Sequence, residues 1–522
     1  MGGRRSSQIY SIIKLPVKYT VRRISELTNI PKSSIHRLVK AILKRNRYPE
    51  SYFWETQEGY NWLRILIFAV IFLIGINCGI GAETISAFFK MLRLDMHSAV
   101  SPTTIRKIRD KMSDLLIEFK GQQEKNHSPE ELLKVVAGVD ETFFEKMILI
   151  FMDLSSGYIF FEEESQDRSY ETWMEKVQSI VKKFGIKIEY IVSDRAKALI
   201  KLAVKGIECL SIPDLFHASN EIVKLFGLNL NRRKDNLQCI LAKAITELSL
   251  LKELSKDIRE KENIICKLKN DCAFIESGIS CYQSLLHELS LIIHPFDIES
   301  SNNQSSAIVL DLLIKIVARI EALQKEYDIN DNKKRIPKFN NQIEGIASLI
   351  DAWWLWCEET LNDDKIDNDL KDWLLMYLLP TAYWQCQVNK TKNPNLKESY
   401  RIALKKALAK LEQHHLTPVL IVQKQWLSWA EWMVSKFQRT SSAVEGRNGC
   451  LSQMHHNGRG ISLKRLKVLT IIHNYYLKRS DGTTAAERLF KKKFPDPFEW
   501  VVNKMGDLPL PRKSKLLVEV RP

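Results

Sequence analysis

Asp140 and Asp194 each follow a short apolar segment with the composition of a buried strand. Residues 135–139 precede the first aspartate, and residues 188–193 precede the second. If the two strands are neighbours, their carboxylates meet at one edge of a sheet. Mg²⁺ prefers carboxylate oxygens, and two such ions about 4 Å apart assist phosphoryl transfer. The pair therefore predicts a two-metal phosphoryl-transfer site, whereas a lone strand-end aspartate is more ordinarily a turn or helix cap.

Such a site needs a third carboxylate, and Glu445 fits this role best. It follows Thr440 and two serines, which are typical helix N-caps, so we expect it on the first turn of a helix. Arg447 would lie near it on the same helix. Glu344 and Glu431 have similar helical settings and stay as alternatives.

The elements around the two aspartates alternate in a defined order. Three strands joined by tight turns are followed by helix, strand, helix and strand, and helical periodicity then dominates from about residue 218 to residue 436. The predicted strands are 134–142, 146–154, 158–163, 187–193 and 208–212, and the predicted helices between them are 170–184 and 196–205. This order predicts a mixed five-stranded α/β sheet followed by a large all-helical block.

The arrangement resembles the ribonuclease H-like catalytic core of the DDE/D transposases, in which the first and fourth strands are adjacent. Asp214-Leu-Phe-His217 is similar to the Asp/Cys-x-x-His signature that hAT-type and related transposases carry between the second Asp and the Glu. Those families also split the core with a helical insertion before the Glu. The resemblance covers residues 134–217 and 437–480, and residues 478–488 are similar to the tail of some bacterial insertion-sequence transposases.

The resemblance implies a catalytic triad that binds two Mg²⁺ ions, for which Mn²⁺ can substitute. The implied ligands are Asp140, Asp194 and Glu445, and the implied supporting residues are Asp214, His217 and Arg447.

Near the amino terminus, residues 20–42 have the pattern of a helix-turn-helix. Thr20 can cap a first helix, Asn29 and Ile30 supply a turn, and Pro31 can open a second, basic helix. The side chains predicted to contact DNA are Ser33, Ser34, Arg37, Lys40, Lys44 and Arg45. The alternative is an ordinary basic helical hairpin. A weaker second hairpin, 82–94 and 101–116, follows.

Positive charge is concentrated at both ends of the chain. Residues 1–50 hold 12 Lys or Arg against 2 acidic residues, and residues 436–522 hold 18 against 7. Two basic ends on a slightly acidic body are typical of a protein that holds a polyanion at two places. In the carboxyl-terminal part, the side chains predicted to hold the DNA backbone are Arg439, Arg459, Lys464 and Arg465.

Nine cysteines are scattered through the sequence without a CxxC pair, which argues against a zinc module and a disulfide framework. This pattern fits a reducing cytosol. We therefore expect a cytoplasmic protein, nucleoid-associated if bacterial. The apolar run 65–76 is shorter than the roughly 20 residues of a membrane span. We therefore expect a buried core helix there and no membrane contact.

These patterns predict five regions. They are a helix-turn-helix region (1–50), a helical linker or second DNA-binding region (51–130), a ribonuclease H-like core (131–219 and 437–480), an all-helical insertion (220–436) and a basic tail (481–522).

The predicted function is that of a DDE-type transposase. It would bind double-stranded DNA at the element's terminal repeats, act on target DNA, and assemble as a homodimer or higher oligomer to join two ends. Three alternatives stay open: a ribonuclease H-like nuclease or resolvase without strand transfer, a domesticated DNA-binding regulator, and a helical scaffold protein with an incidental α/β domain.

Overall fold

The computed structural model describes residues 19–45, 51–54, 56–125, 132–254, 257–362, 366–421, 423–458 and 460–511. The protein is a mixed α/β structure in which a five-stranded sheet is embedded among helices. Within these ranges, six α-helices precede the sheet: α1 (Val21–Thr28), α2 (Lys32–Arg45), α3 (Ser51–Trp54), α4 (Gln57–Val70, continued as a π-helix over Ile71–Asn77), α5 (Ala82–Met91) and α6 (Pro102–Lys125).

The first two helices form where the sequence predicts them. The Thr20 side chain accepts a hydrogen bond from the backbone of Arg23, and Asn29 adopts the left-handed conformation that ends α1. Ile24, Ile30 and Ile35 are buried between the two helices. The local pattern was sufficient here because caps, turn and apolar seam all lie within 30 residues.

The sheet and its helices also form in the predicted order. They are β1 (Leu133–Phe143), β2 (Met147–Asp153), β3 (Ile159–Ser165), α7 (Tyr170–Phe184), β4 (Ile186–Ser193), α8 (Lys197–Lys201, continued as a π-helix over Leu202–Ile207) and β5 (Leu210–Pro213). The spatial order is β3-β2-β1-β4-β5. The hairpin-linked strands β1, β2 and β3 pair antiparallel, and β4 and β5 add parallel to β1.

Register places the two aspartates at one level of the sheet. Gly138 pairs with Val192 in the parallel β1–β4 ladder. Continuing that register by two residues sets Asp140 beside Asp194 on neighbouring strands, which are about 4.8 Å apart in a sheet. The prediction that these strands are adjacent is confirmed.

A helical block begins directly after β5, and its described residues form ten helices. They are α9 (Leu215–Glu253), α10 (Arg259–Ile292), α11 (Ser306–Glu326), α12 (Arg335–Asn340), α13 (Ile343–Thr360), α14 (Asn368–Trp373, continued as a π-helix over Leu374–Leu378), α15 (Leu379–Lys390), α16 (Pro394–Gln413), α17 (Thr417–Leu420) and α18 (Lys424–Lys436). The chain then returns to the sheet through α19 (Ser442–Gly458), α20 (Leu463–Tyr475), α21 (Ala485–Phe490) and α22 (Pro497–Lys504).

Two hydrophobic cores lie on opposite faces of the sheet, because alternate strand residues point to opposite sides. Val136 joins the core that extends into the helical block, whereas Val135 and Ala137 join the core formed with α4, α6, α7 and the carboxyl-terminal helices. The helical block therefore covers one face of the sheet, and α4, α6, α7 and the carboxyl-terminal helices jointly cover the other.

The apolar run within 65–76 belongs to a longer helix than expected. Helix Gln57–Asn77 has 21 residues, which is enough by length and composition to cross a membrane, and 44% of its most apolar window is buried inside the protein. Phe68, Ile71 and Phe72 lie in the second core, and the Phe72 ring contacts Phe498 of α22. The predicted core helix is confirmed for this face, while Trp62, Ile65 and Leu73 are exposed.

Gly138 lets α19 approach β1 closely. A Cβ at this position would lie 2.5 Å from Leu154 Cδ2 and 2.9 Å from Val444 Cγ2, and both neighbours are buried. We expect Gly138→Ala to lower the free energy of unfolding by about 1–3 kcal/mol through overpacking. Thermal denaturation measures this.

Gly449→Ala is the matched control, because nothing lies within 4 Å of a Cβ there and the residue is in α19 itself. This variant should melt at or slightly above the wild-type temperature, since alanine favours helix over glycine by about 1 kcal/mol. A Gly138→Ala protein that melts like the wild type would contradict the close-packing interpretation.

Candidate functional site

Among the described carboxylates at this edge of the sheet, Asp140 has the most strongly shifted pKa. Its Oδ2 accepts a hydrogen bond of 2.8 Å from the Asn448 side chain of α19. Burial raises the pKa of Asp140 to about 7, and the charges of Glu445, Glu141 and Asp194 add to this rise, against the backbone hydrogen bond at Glu141. The charges of Glu445 and Asp194 are thus close enough to Asp140 to raise its pKa.

Asp194 follows β4 at the surface. Its Oδ1 accepts a 2.9 Å hydrogen bond from the backbone of Ala196, and Arg195 between them has a positive φ of 63°. The aspartate therefore shapes the strand-to-helix turn, as the capping alternative predicts. The Asp194 side chain is still exposed, so its carboxylate can also accept a ligand.

Glu445 lies on the first turn of α19, as expected from the serines before it. Its Oε1 is 2.8 Å from Nε2 of His217, the histidine of the Asp-x-x-His segment. Glu344 and Glu431 are exposed on α13 and α18, and neither charge is among the main influences on Asp140. The structure therefore brings Glu445, rather than these two alternatives, close to Asp140.

Asp214 joins the start of the helical block to its end. Its Oδ1 caps α9 by accepting from the backbone of Phe216 at 2.7 Å and of His217 at 3.2 Å. Its Oδ2 accepts from both the backbone, at 2.7 Å, and the hydroxyl of Ser441, the residue before α19. One buried carboxylate thus places His217 and Glu445 opposite each other.

Arg447 has a role that the sequence did not reveal. Its guanidinium donates two hydrogen bonds, of 2.8 and 2.6 Å, to Glu162 of β3, and Thr470 of α20 donates a third, of 2.8 Å, to the same carboxylate. Arg447 and Glu162 are both at most 5% exposed. Arg447, expected as a supporting residue beside Glu445, therefore acts by fixing α19 against the sheet.

Asn448 and Glu162 were both missed by sequence reasoning. Glu162 had a detectable signal, since it is the first of three consecutive glutamates that directly follow the apolar residues 159–161. Asn448 had a weaker one, its position three residues after Glu445, which puts both side chains on one helix face.

The donor set suits a hard divalent cation, because it consists of carboxylate oxygens that carry uncompensated charge. Arg168 pairs with Glu141, and no described lysine or arginine forms an ion pair with Asp140 or Asp194. Within the described ranges, no three His, Cys, Asp or Glu side chains are gathered closely enough to hold a metal ion as they stand. The fit therefore rests on donor chemistry and charge.

The predicted DNA-contacting residues have different surroundings. In α2, Ser33, Arg37 and Lys40 are exposed and Ser34 is partly buried. The side chains of Lys44 and Arg45, and the whole of Arg459, lie outside the described residues.

In the carboxyl-terminal part, Arg439 donates a 2.5 Å hydrogen bond to the carbonyl of Ile293, which gives it an internal structural partner. Lys464 pairs with Asp114 of α6 at 2.6 Å. Arg465 is partly buried beside Arg109.

Removing one partner of the buried pair tests its structural role. We expect Arg447→Met to destabilise the protein by about 3–5 kcal/mol, because Glu162 would remain as an uncompensated buried charge. The double variant Arg447→Met/Glu162→Gln should recover part of this loss. Denaturation midpoints measure both, and a double variant less stable than Arg447→Met would contradict the pairing.

The negative charges around Asp140 predict that the stability of the protein depends on pH in metal-free buffer. Because the folded state holds the Asp140 proton more tightly than the unfolded chain, this stabilisation is complete below pH 4 and is lost as pH rises through about 7. Asp140→Asn cannot ionise, so its stability relative to wild type should rise by on the order of 3–4 kcal/mol over that window. Denaturation in EDTA between pH 4 and pH 8 measures this. If the stability of the two proteins changed in parallel between pH 4 and pH 8, folding would not raise the pKa of Asp140.

Residues 374–516 match the model of a family of unknown function, DUF6399. No curated protein is significantly similar to the chain. The matched segment contains α19 with Glu445 and all later helices, but it contains neither the sheet nor its two aspartates.

Proposed function

We propose that this protein is a DDE-type DNA transposase with a ribonuclease H-like core, in which Asp140, Asp194 and Glu445 hold two Mg²⁺ ions. The observation that carries the proposal is the convergence of three carboxylates from distant segments at the β1–β4 edge of the sheet. Two come from neighbouring parallel strands at one level, and the third comes from a helix that reaches the sheet only after the whole helical block.

Divalent cations bound there would supply Lewis-acid activation of the attacking oxygen and neutralise charge on the transferred phosphate. The chain's own residues prepare the site for them. His217 orients the Glu445 carboxylate, Asn448 orients that of Asp140, and the Asp140–Asp194 register sets the distance between two of the ligands. Mn²⁺ offers the same preference for oxygen and is expected to substitute.

The basic elements supply DNA binding in this proposal. Exposed Arg37 and Lys40 of α2 would contact the element ends, and α6 adds Arg106 and Lys107 on an exposed face. Phosphate contacts of this kind determine affinity and its salt dependence, whereas base contacts determine sequence preference. Because two element ends must be joined, the active form is expected to be a homodimer or larger.

The test is Mg²⁺- or Mn²⁺-dependent cleavage and joining of DNA that carries the repeats flanking the gene. Asp140→Ala, Asp194→Ala and Glu445→Ala should each bind DNA yet lose activity to background. His217→Ala should lose about 10–100-fold, the usual effect of removing a group that orients a metal ligand. Glu344→Ala and Glu431→Ala are the matched controls and should retain wild-type activity.

Different failures point to different alternatives. Cleavage without joining would favour a nuclease or resolvase that uses the same carboxylates. Specific DNA binding with no metal-dependent cleavage in any protein would favour a DNA-binding regulator. Weak, non-specific DNA binding without any metal effect would favour a helical scaffold, and full activity of Glu445→Ala would remove that residue from the site.

A further inference from the structure

A cavity of about 680 Å³ lies beside α19, beyond the carboxylate site. Pockets of this volume are in the range that binds small organic groups. The wall residues that matter here are Phe144, Lys146, His455, Ile461, Lys464 and Arg465. They come from the β1–β2 turn, from α19 and from the start of α20, so three separate elements build the cavity.

A pair of stacked rings forms one wall of the cavity. The rings of Phe144 and His455 have centroids 5.1 Å apart and planes inclined by only 15°. Both ring nitrogens of His455 are buried and have no hydrogen-bond partner. The nearest carboxylate oxygen, on Glu145, is 3.9 Å from Nε2, which is too far for a hydrogen bond. The two nearly parallel rings thus form a flat aromatic wall of the cavity.

Arg465, which also lines the cavity, forms no ion pair with a described carboxylate. Arg465 packs so closely against Gly79 that a Cβ on this glycine would collide with the guanidinium. Burial, together with the neighbouring Arg109, lowers the pKa of Arg465. No described carboxylate pairs with either arginine. An arginine without a counter-ion can bind an anionic group such as a phosphate.

The acidic residues nearby do not neutralise these arginines. Glu164 is paired with Lys146 at 2.7 Å, and Asp114 is paired with Lys464 at 2.6 Å. The positive charge of Arg465 therefore remains available to a ligand in the cavity.

We propose that this cavity binds an unpaired nucleotide of a DNA strand, with the base against the Phe144–His455 wall and the phosphate on Arg465. An aromatic surface beside an unpaired cation is the combination that holds single-stranded DNA, because every base has a face for stacking. This inference rests on the proposed function, because it takes DNA as the substrate. Its new element is a site at which one strand is separated from the duplex.

The position of the cavity agrees with a strand that runs along α19. His455 follows Glu445 by ten residues, which corresponds to about 15 Å along a helix. At 3.4 Å per stacked nucleotide, this is a path of about four nucleotides. The unpaired nucleotide would lie about four nucleotides along the strand from the phosphate held at the carboxylate site.

The test compares two single-stranded probes of equal charge, a fluorescent (dT)12 and an abasic strand of the same length, with the full-length protein in EDTA. Wild type should bind (dT)12 about 10-fold more tightly than the abasic strand. His455→Ala should abolish this difference without changing binding of the abasic strand. Arg465→Gln should weaken binding of both strands. His456→Ala, which removes the exposed neighbouring histidine, should behave as wild type.

Equal affinity of wild type for the two strands would overturn the inference, as would an unchanged preference in His455→Ala. Displacement of (dT)12 by micromolar dTMP would also overturn it, because the cavity would then be a site for free nucleotides. Melting temperatures identify any variant that fails to fold, and Phe144→Leu then tests the same wall. Since EDTA excludes metal-dependent chemistry, a protein that never cleaves DNA can still support this inference, and an active transposase can still contradict it.

Discussion

The arrangement of the site depends on the carboxylate of Asp214. It caps the first helix of the block and binds Ser441 at the block's end, and the backbone of Leu215 donates to the carbonyl of Arg439 beside it. The entropy cost of closing a loop grows only with the logarithm of its length. A block of more than 200 residues can therefore separate Asp194 from Glu445 in the sequence without separating them in space, provided that its two ends are held together.

Two buried acidic residues, Glu162 and Asp140, have opposite electrostatic surroundings. Glu162 is satisfied by two bonds from Arg447 and one from Thr470, which explains why a charge can lie in the core. Asp140 accepts hydrogen bonds from the Asn448 side chain and the Glu141 backbone but has other carboxylates as neighbours, so burial and repulsion keep its pKa near 7. The Glu162–Arg447 pair positions α19, and α19 brings Glu445 close to Asp140. The negative charge around Asp140 therefore supports the proposed cation site there rather than a structural ion pair.

Local patterns allowed the strands, their order and the amino-terminal caps to be predicted, because these depend on alternation and turn residues close in sequence. The third carboxylate was ambiguous, since Glu344, Glu431 and Glu445 have similar local settings and only tertiary packing brings one to Asp140. Burial of Arg447 was missed for the same reason: its partner Glu162 lies 285 positions away. Likewise, nothing local indicated that residues 481–511, predicted as a basic tail, pack against α4, where Arg64 donates to the carbonyl of Met505.

Helix α19 explains how one element can serve both the carboxylate site and the cavity. Val444, Arg447 and Leu451 are buried and anchor the helix to the sheet and to α20. Glu445, Asn448, Ser452 and His455 follow at spacings of three, four and three residues, which places them along one adjacent stripe. Because the anchored face fixes the rotation of the helix, it also fixes the direction of this polar stripe. A DNA strand that lies along the stripe would meet the carboxylates and the stacked rings in a single path, so the buried pair of Glu162 and Arg447 controls both.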